Sequence, residues 1–355
     1  MSQSKIFSER IKTLQKALRA EKKELFFIKN SVDLYYLTGI HMSLGHLYVG
    51  QTKARLFVDG RYFESVQKTS PVPVASLTSE NQVDFLKGGK RVGFDSGTLT
   101  FQETTDLRGL CRKAKVKTFA DPHLLMKLRL IKDDGEIRLM KKSAEFAYKA
   151  YEWARRRLKT GMTELDLATD LKIYCLKNGA EGMSFEPIVA FGKNTALPHH
   201  HPGKNKLKVN DVVLFDLGVV LGGYCSDMTR VCFVGKPDPK ISHLFEINKA
   251  AQRMALAKCR PGVRLKELDQ AARRVMRSAD LEEYFIHGLG HGIGLEVHEY
   301  PRINSTGPDR NLTLEAGMAI TIEPGLYLPG KGGVRYEDTI VITPKGYTNL
   351  YPEDR

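Results

Sequence analysis

Two stretches of this sequence place acidic residues where acids are costly, and that constrains the fold more than any other feature. Val212-Val213-Leu214-Phe215-Asp216-Leu217 reads as a strand that is apolar on both faces, so Asp216 is expected inside the protein. An unpaired carboxylate there would cost several kcal/mol or stay protonated. Gly222-Gly223 then turns the chain, and Tyr224 to Val234 returns as a strand carrying Asp227. A turn centred between Leu221 and Gly222 would set Asp216 directly across the hairpin from Asp227, with Cβ atoms about 4.5–5.5 Å apart. Two anions that close require a proton or a cation between them.

The pattern occurs twice. Ala319-Ile320-Thr321-Ile322-Glu323 is a second apolar strand, Pro329 to Gly333 turns, and Arg335 to Ile342 returns with Glu337. A turn centred on Gly330 would again put the two carboxylates opposite each other. The elements around the pairs also echo one another over residues 136–235 and 242–343. Glu164-Leu165-Asp166 matches Glu267-Leu268-Asp269, and Gly161 matches Gly262. Duplicated half-domains packed face to face would bring both pairs into one cleft. Structural salt bridges to Arg230, Arg335 or lysines are the alternative use of such acids. Two hairpins with one layout favour a dinuclear site for hard or borderline divalent ions.

A nitrogen donor is available. Residues 286–299 carry His287, His291 and His298 among four glycines, Gly288, Gly290, Gly292 and Gly294, with no following Lys-Ser/Thr and no strand–GxGxxG–helix frame, which argues against a phosphate cradle.

 Glycines beside a histidine let another backbone approach closely, which suits a ligand in a tight site. His291 fits the missing nitrogen ligand and His298 a polar, non-ligand role. Pro198-His199-His200-His201-Pro202 precedes the first hairpin in a loop, where a substrate-facing histidine and a solvated or weakly metal-binding loop are both open readings.

The rest of the chain frames these stretches. At 355 residues, 42% hydrophobic and 27% charged, it is long enough for two domains with sizeable cores. Leu25–Ile28, His46–Val49, Arg55–Val58, Val72–Ala75 and Arg91–Phe94 read as strands, with helices at Ser8–Lys22 and Gly60–Lys68. This makes residues 1–121 an α/β domain without catalytic features. Residues 122–135 read as a linker, and 136–355 as the catalytic domain. Apolar positions from Ile137 to Leu158 recur at helical spacing, and Thr163 with Asp166 caps the next helix. No apolar run is long enough for a membrane span, and charges interrupt the first 28 residues, so no signal peptide is expected. Five scattered cysteines without a CxxC pair suit free thiols in a reducing cytoplasm. The net charge of +14 raises a nucleic-acid partner, but the basic clusters lie within amphipathic patterns and no nucleic-acid-binding motif accompanies them. Nucleic acid is therefore disfavoured as a partner.

Together LPHHHP (197–202), VVLFDLGVVLGGYCSDMTRV (212–231), FIHGLGHGIGLEVHEYPRI (285–303), GMAITIEPGLYLP (317–329) and GGVRYEDT (332–339) resemble the aminopeptidase P and prolidase branch of the pita-bread metallopeptidases. Leu37-Thr38-Gly39 and Asp59-Gly60-Arg61-Tyr62 resemble that branch's N-terminal domain more loosely. The resemblance implies an α/β creatinase-like N-terminal domain, then an α+β pita-bread catalytic domain with pseudo-twofold duplicated halves. It implies two divalent metal ions, Mn²⁺ as first choice with Co²⁺ and Zn²⁺ as alternatives. Asp216 would bind one ion, Asp227 and Glu337 would bridge both, and His291 with Glu323 would complete the second site.

The same resemblance implies cleavage of Xaa-Pro bonds, in peptides with proline at the second position, by a metal-bridged hydroxide. Glu323 would handle the proton, His199 would line the substrate site, and His298 would bond the scissile carbonyl or the oxyanion. Arg302 matches a position that prolidases use near the substrate carboxylate, and Arg335 would hold ligand carboxylates in register. A homodimer is expected. The rival is a non-catalytic binding protein on this scaffold; such relatives lose metal ligands, and this chain keeps all five.

Overall fold

A computed structural model describes residues 3–352, so the outermost positions of the expected domains, 1–2 and 353–355, lie outside the described residues. The chain divides into two compact units, Met1–Arg129 and Leu130–Arg355, and the division falls inside the stretch expected as a linker.

In the first unit the elements run α1 (Gln3–Ala20), β1 (Leu25–Ile28), α2 (Ser31–Thr38), β2 (His46–Gly50), β3 (Ala54–Val58), α3 (Phe63–Thr69), β4 (Val74–Ser76), α4 (Ser79–Leu86), β5 (Arg91–Phe94), α5 (Phe101–Lys113), β6 (Lys117–Ala120) and α6 (Leu124–Leu130). They form one six-stranded sheet of order β4-β3-β2-β1-β5-β6. β1 lies inside it, antiparallel to β2 and parallel to β5, and all four of its residues are buried. Continuous apolar sequence is what a strand covered on both faces requires. Sequence periodicity did not reveal α2, α4, α5 or β6. In α2 five of eight residues are buried, including Asp33 and Thr38, so no polar face marks the helical period.

The second unit opens with α7 (Asp134–Arg155) and α8 (Glu164–Lys177), each started by a capping box, Asp133 with Glu136 and Thr163 with Asp166. The strands β7 (Gly182–Met183), β8 (Ile188–Phe191), β9 (Val212–Leu217), β10 (Val219–Leu221), β11 (Tyr224–Cys225) and β12 (Met228–Phe233) complete the first half. The second half follows with α9 (Pro239–Leu256), α10 (Leu265–Arg277), β13 (Gly290–Gly292), β14 (Glu299–Ile303), β15 (Ala319–Ile322), β16 (Gly325–Leu328), β17 (Gly332–Arg335), β18 (Asp338–Thr343) and β19 (Gly346–Asn349). Alternate residues of the central strands feed two cores. Val213, Phe215 and Leu217 join the α7 and α8 side, whereas Val212 and Leu214 join the α9 and α10 side. Strand alternation therefore puts Asp216 on the α9 and α10 side.

The halves are duplicates in hydrogen bonding. Gly161 N–H donates to Leu207 O (2.8 Å) and Gly262 N–H to Leu314 O (2.9 Å); Glu164 N–H donates to Asn205 O (3.1 Å) and Leu265 N–H to Leu312 O (2.9 Å). Bridges Thr163–Lys206 and Arg264–Thr313 repeat the same correspondence. The glycine match of the sequence is thus the structural one. The Glu-Leu-Asp match is not: it is two residues out of register, and Glu164 corresponds to Leu265.

The hairpin registers are likewise one right and one wrong. Ile322 pairs with Asp338 and Gly325 with Arg335, so Glu323 and Glu337 stand opposite each other as expected. In the first hairpin Asp216 pairs with Thr229, because the turn is centred on Gly222-Gly223 and not one position earlier. Asp227 is a diagonal neighbour on the same face, not a direct one.

Candidate metal centre

The two hairpins meet through Thr229. Its carbonyl accepts from Glu337 N–H at 3.2 Å, and its hydroxyl donates to Glu337 Oε2 at 2.7 Å. This juxtaposition brings Asp216, Asp227, Glu323 and Glu337 into one electrostatically interacting cluster. β13 brings His291 to it, with Nε2 at 3.3 Å from Glu323 Oε1 and 3.6 Å from Asp227 Oδ2. Donor atoms of Asp227, His291 and Glu337 all lie within 4.8 Å of one another.

Gly290 and Gly292 make that approach possible. A Cβ at Gly290 would meet Thr321 O at 2.1 Å, and one at Gly292 would meet Tyr300 O at 2.2 Å. Both clashes are with backbone, so side chains at these positions would force β13 away from its neighbours.

The electrostatics demand that protons or a cation offset the charge of the cluster. Burial, and then the mutual repulsion with Glu337, Asp216 and Glu323, pushes Asp227 well above the usual carboxylate range. Burial followed by Glu323 does the same to Glu337, and burial lifts Glu323 to about 8. His291 is pushed down to about 4, chiefly by burial, so its ring is neutral. Its Nδ1 faces Gly292 O at 2.9 Å, and a carbonyl can only accept. Nδ1 therefore carries the proton, and the Nε2 lone pair points at carboxylates. Two carboxylate oxygens, Asp216 Oδ1 and Glu337 Oε1, are buried without a hydrogen-bond partner. Lone pairs converging from an imidazole and four carboxylates fit divalent cations bound by oxygen and nitrogen.

Salt bridges account for little of the cluster. Arg335 Nη2 donates to Asp216 Oδ2 at 2.5 Å. Arg230 instead serves Asp338 Oδ1 (2.7 Å) and the carbonyls of Thr229 and Glu337. Among the described residues, no lysine or arginine pairs with Asp227, Glu323 or Glu337.

Around the acids lies a set of groups only partly expected. Arg335 Nε donates to Thr229 Oγ1 (2.9 Å) and Nη1 to the Tyr327 hydroxyl (2.7 Å). His287 Nδ1 donates to Gly288 O (2.7 Å), and Nε2 accepts from the Tyr327 hydroxyl (3.0 Å). Sequence reasoning missed His287, Tyr327 and Thr229 as site residues. His287 had a signal, four positions before His291 in the same glycine-rich run; Tyr327 and Thr229 had none. His298 is exposed, with its ring edge-on to His291 at 4.4 Å between centroids. Arg302 stands opposite His291 in the β13–β14 ladder. His199 is exposed on the loop after Pro198, whose carbonyl accepts from Arg335 Nη1 at 3.3 Å. Burial dominates the ionisation of Asp216, His287 and His298, and the charge of His199 weighs on all three.

The chain is also similar to known proteins. Residues 138–344 match metallopeptidase family M24, and residues 10–131 match the creatinase/prolidase N-terminal domain. The chain is 35% identical over 350 residues to an Xaa-Pro dipeptidase of Pyrococcus furiosus, covering 98% of this chain and 99% of the relative. Its fold is similar to the prolidase of Pyrococcus horikoshii OT3, at a TM-score of 0.90 and 33% identity, covering 98% of this chain and 99% of that one. It is also similar to an X-Pro aminopeptidase of Thermotoga maritima, at 0.87 and 29%, covering 96% and 98%. With its creatinase-like N-terminal domain, its duplicated pita-bread unit and this acidic centre, the chain belongs to the aminopeptidase P and prolidase branch of metallopeptidase family M24.

Proposed function

We propose that the protein is an exopeptidase that hydrolyses the bond between an N-terminal residue and proline. The observation that carries this reading is the intact set of four carboxylates and one imidazole in a single cluster, in a chain whose relatives include Xaa-Pro dipeptidases. Asp216, Asp227, His291, Glu323 and Glu337 would hold two divalent cations, which supply a water acidified toward neutrality and polarisation of the scissile carbonyl. Mn²⁺ is the proposed ion, since the donors are mostly hard carboxylate oxygens.

The chain's own residues divide the remaining work. Glu323 takes a proton from the attacking water and returns it to the proline nitrogen as the bond breaks. His298 donates to the oxygen that gains charge, from its place beside His291. Arg335 keeps Asp216 and, through Thr229, Glu337 in place. His199 lines the side from which substrate enters, and Arg302 receives the free carboxylate of a dipeptide. Free cysteines at all five positions suit a reducing compartment, so a cytoplasmic location belongs to the same proposal, as does the homodimer that the family resemblance implies. A monomer mass by light scattering would remove the dimer from it.

Hydrolysis of Ala-Pro and Ala-Pro-Ala by Mn²⁺-loaded and chelated protein tests the function. Cleavage of Ala-Pro that disappears on chelation marks a dipeptidase, and cleavage of the tripeptide alone marks an aminopeptidase. Loss of both with metal bound returns the reading to a non-catalytic binding protein.

A further inference from the structure

Glu164 is fully buried at the first turn of α8, outside the acidic centre. Five donors converge on it. Oε1 accepts from Phe191 N–H (2.8 Å), Asn194 Nδ2 (2.9 Å) and Asn205 Nδ2 (3.2 Å). Oε2 accepts from His200 Nε2 (2.8 Å) and Gly203 N–H (3.2 Å). All five belong to residues 191–205, the segment that carries His199.

The duplication shows that the helix itself does not require an acid here. The corresponding residue of the second half is Leu265, equally buried at the same place on α10. A leucine there satisfies packing, whereas a buried carboxylate is costly unless its oxygens are occupied. What the glutamate adds is a point of attachment for a loop that has little regular structure of its own. The attachment brackets His199 closely, because His200 is its immediate neighbour and Asn194 and Gly203 lie on either side. From the other direction Arg335 holds Pro198 O, so the loop is tied both to α8 and to the metal-site arginine. Opposing effects on the carboxyl end with its pKa lowered: burial raises it, and His200 and the other donors more than offset this.

We propose that Glu164 is a positioning residue that sets the loop of His199 against the cleft, an inference that rests on the Xaa-Pro peptidase reading for the role of His199. It predicts that Glu164 acts on substrate through His199 and not through the metals. Glu164→Gln keeps the shape but turns an acceptor into a donor facing His200 or Gly203. A misplacement of the loop by about 1 Å would lower kcat/KM by up to about a hundredfold.

The test is a double-mutant cycle of Glu164→Gln with His199→Ala, read by kcat/KM on Ala-Pro and by calorimetric Mn²⁺ affinity. The expected result is a large loss in Glu164→Gln, unchanged metal affinity, and almost no further loss when His199 is already alanine. Losses that multiply, or a metal affinity that falls with activity, would overturn the proposal. Asn194→Ala removes a single donor and should give a smaller loss of the same kind; it serves if Glu164→Gln does not fold. Hydrogen exchange separates this inference from the functional reading. If the wild-type protein cleaves no Xaa-Pro bond, the peptidase reading fails, and the exchange of residues 192–205 still reports on the loop. Faster exchange there in the variant, with β9, β12, β15 and β18 still protected, supports the positioning role, and unchanged exchange refutes it.

Discussion

The hydroxyl of Tyr351 is hydrogen-bonded to both backbone groups of Asp227: it donates to the carbonyl at 2.8 Å and accepts from the N–H at 3.1 Å. A residue near the end of the chain thus holds a carboxylate of the first half. The carbonyl has a second donor in Thr339 Oγ1 (3.1 Å), so the N–H is the group that depends on Tyr351. Tyr351→Phe leaves that donor buried, at a cost of about 1–3 kcal/mol. It should also weaken Mn²⁺ binding by about 10–100-fold, as changes behind a metal ligand do. Thermal unfolding and calorimetric titration check both numbers, and unchanged metal affinity would show that the Asp227 backbone needs no such support.

Metal-free protein should lose stability as pH rises above neutrality. Burial lifts Glu323 to about 8, and burial with carboxylate repulsion lifts Asp227 and Glu337 well above their ordinary values. An acid whose folded pKa is raised binds more protons folded than unfolded, so stability falls as pH climbs from the unfolded to the folded value. His287 and His291, both pushed down to about 4 by burial first, act in the opposite sense. Their contribution grows only up to the unfolded histidine value, about 6.5. The interval from about 6.5 to about 8 therefore belongs to the carboxylates. The melting temperature of chelated protein should fall across it, and excess Mn²⁺ should remove the fall. A chelated protein with a level melting temperature over that interval would contradict the repulsion argument.

Arg335 reaches four partners with three nitrogens: Asp216 through Nη2, Thr229 through Nε, and Tyr327 and the Pro198 carbonyl through Nη1. A lysine offers one compact ammonium and cannot span that fork. Arg335→Lys should therefore reduce Mn²⁺ affinity or kcat/KM by about 10–100-fold, despite keeping the charge. Activity close to wild type would mean that charge alone, and not the planar geometry, organises the site.

The acidic centre was legible because buried charge contradicts an apolar strand pattern, and the contradiction recurs. Glu323 and Glu337 could even be paired correctly from the position of Gly330. The first hairpin could not, because Gly222-Gly223 and the positions before them both allow a turn, and a shift of one residue in its centre moves the partner by two. Glu164 escaped notice for a related reason. It sat in a three-residue echo that suggested repetition, while the structural correspondence places it against Leu265. Thr229, Tyr327 and Tyr351 act through contacts with residues far away in sequence, which no local pattern records. In the first unit α2 is too heavily buried to leave a polar face to read, and α4 is only eight residues long with two of them buried.

Arg302 gives the sharpest test of substrate length. It lies across from His291 on β14, and its side chain is exposed while Pro301 and Ile303 are buried. In a dipeptide the proline carboxylate is one residue from the scissile bond, within reach of a side chain so close to a ligand. An amide at that end keeps the shape and removes the charge. Wild-type protein should therefore prefer Ala-Pro to Ala-Pro-amide, and Arg302→Ala should erase the preference by raising KM for the acid about tenfold or more, the cost of one charge-assisted contact. A contact equally strong in ground and transition states should leave kcat nearly unchanged. If the variant keeps the preference for the free acid, the carboxylate is recognised elsewhere and the argument for a dipeptidase loses its residue.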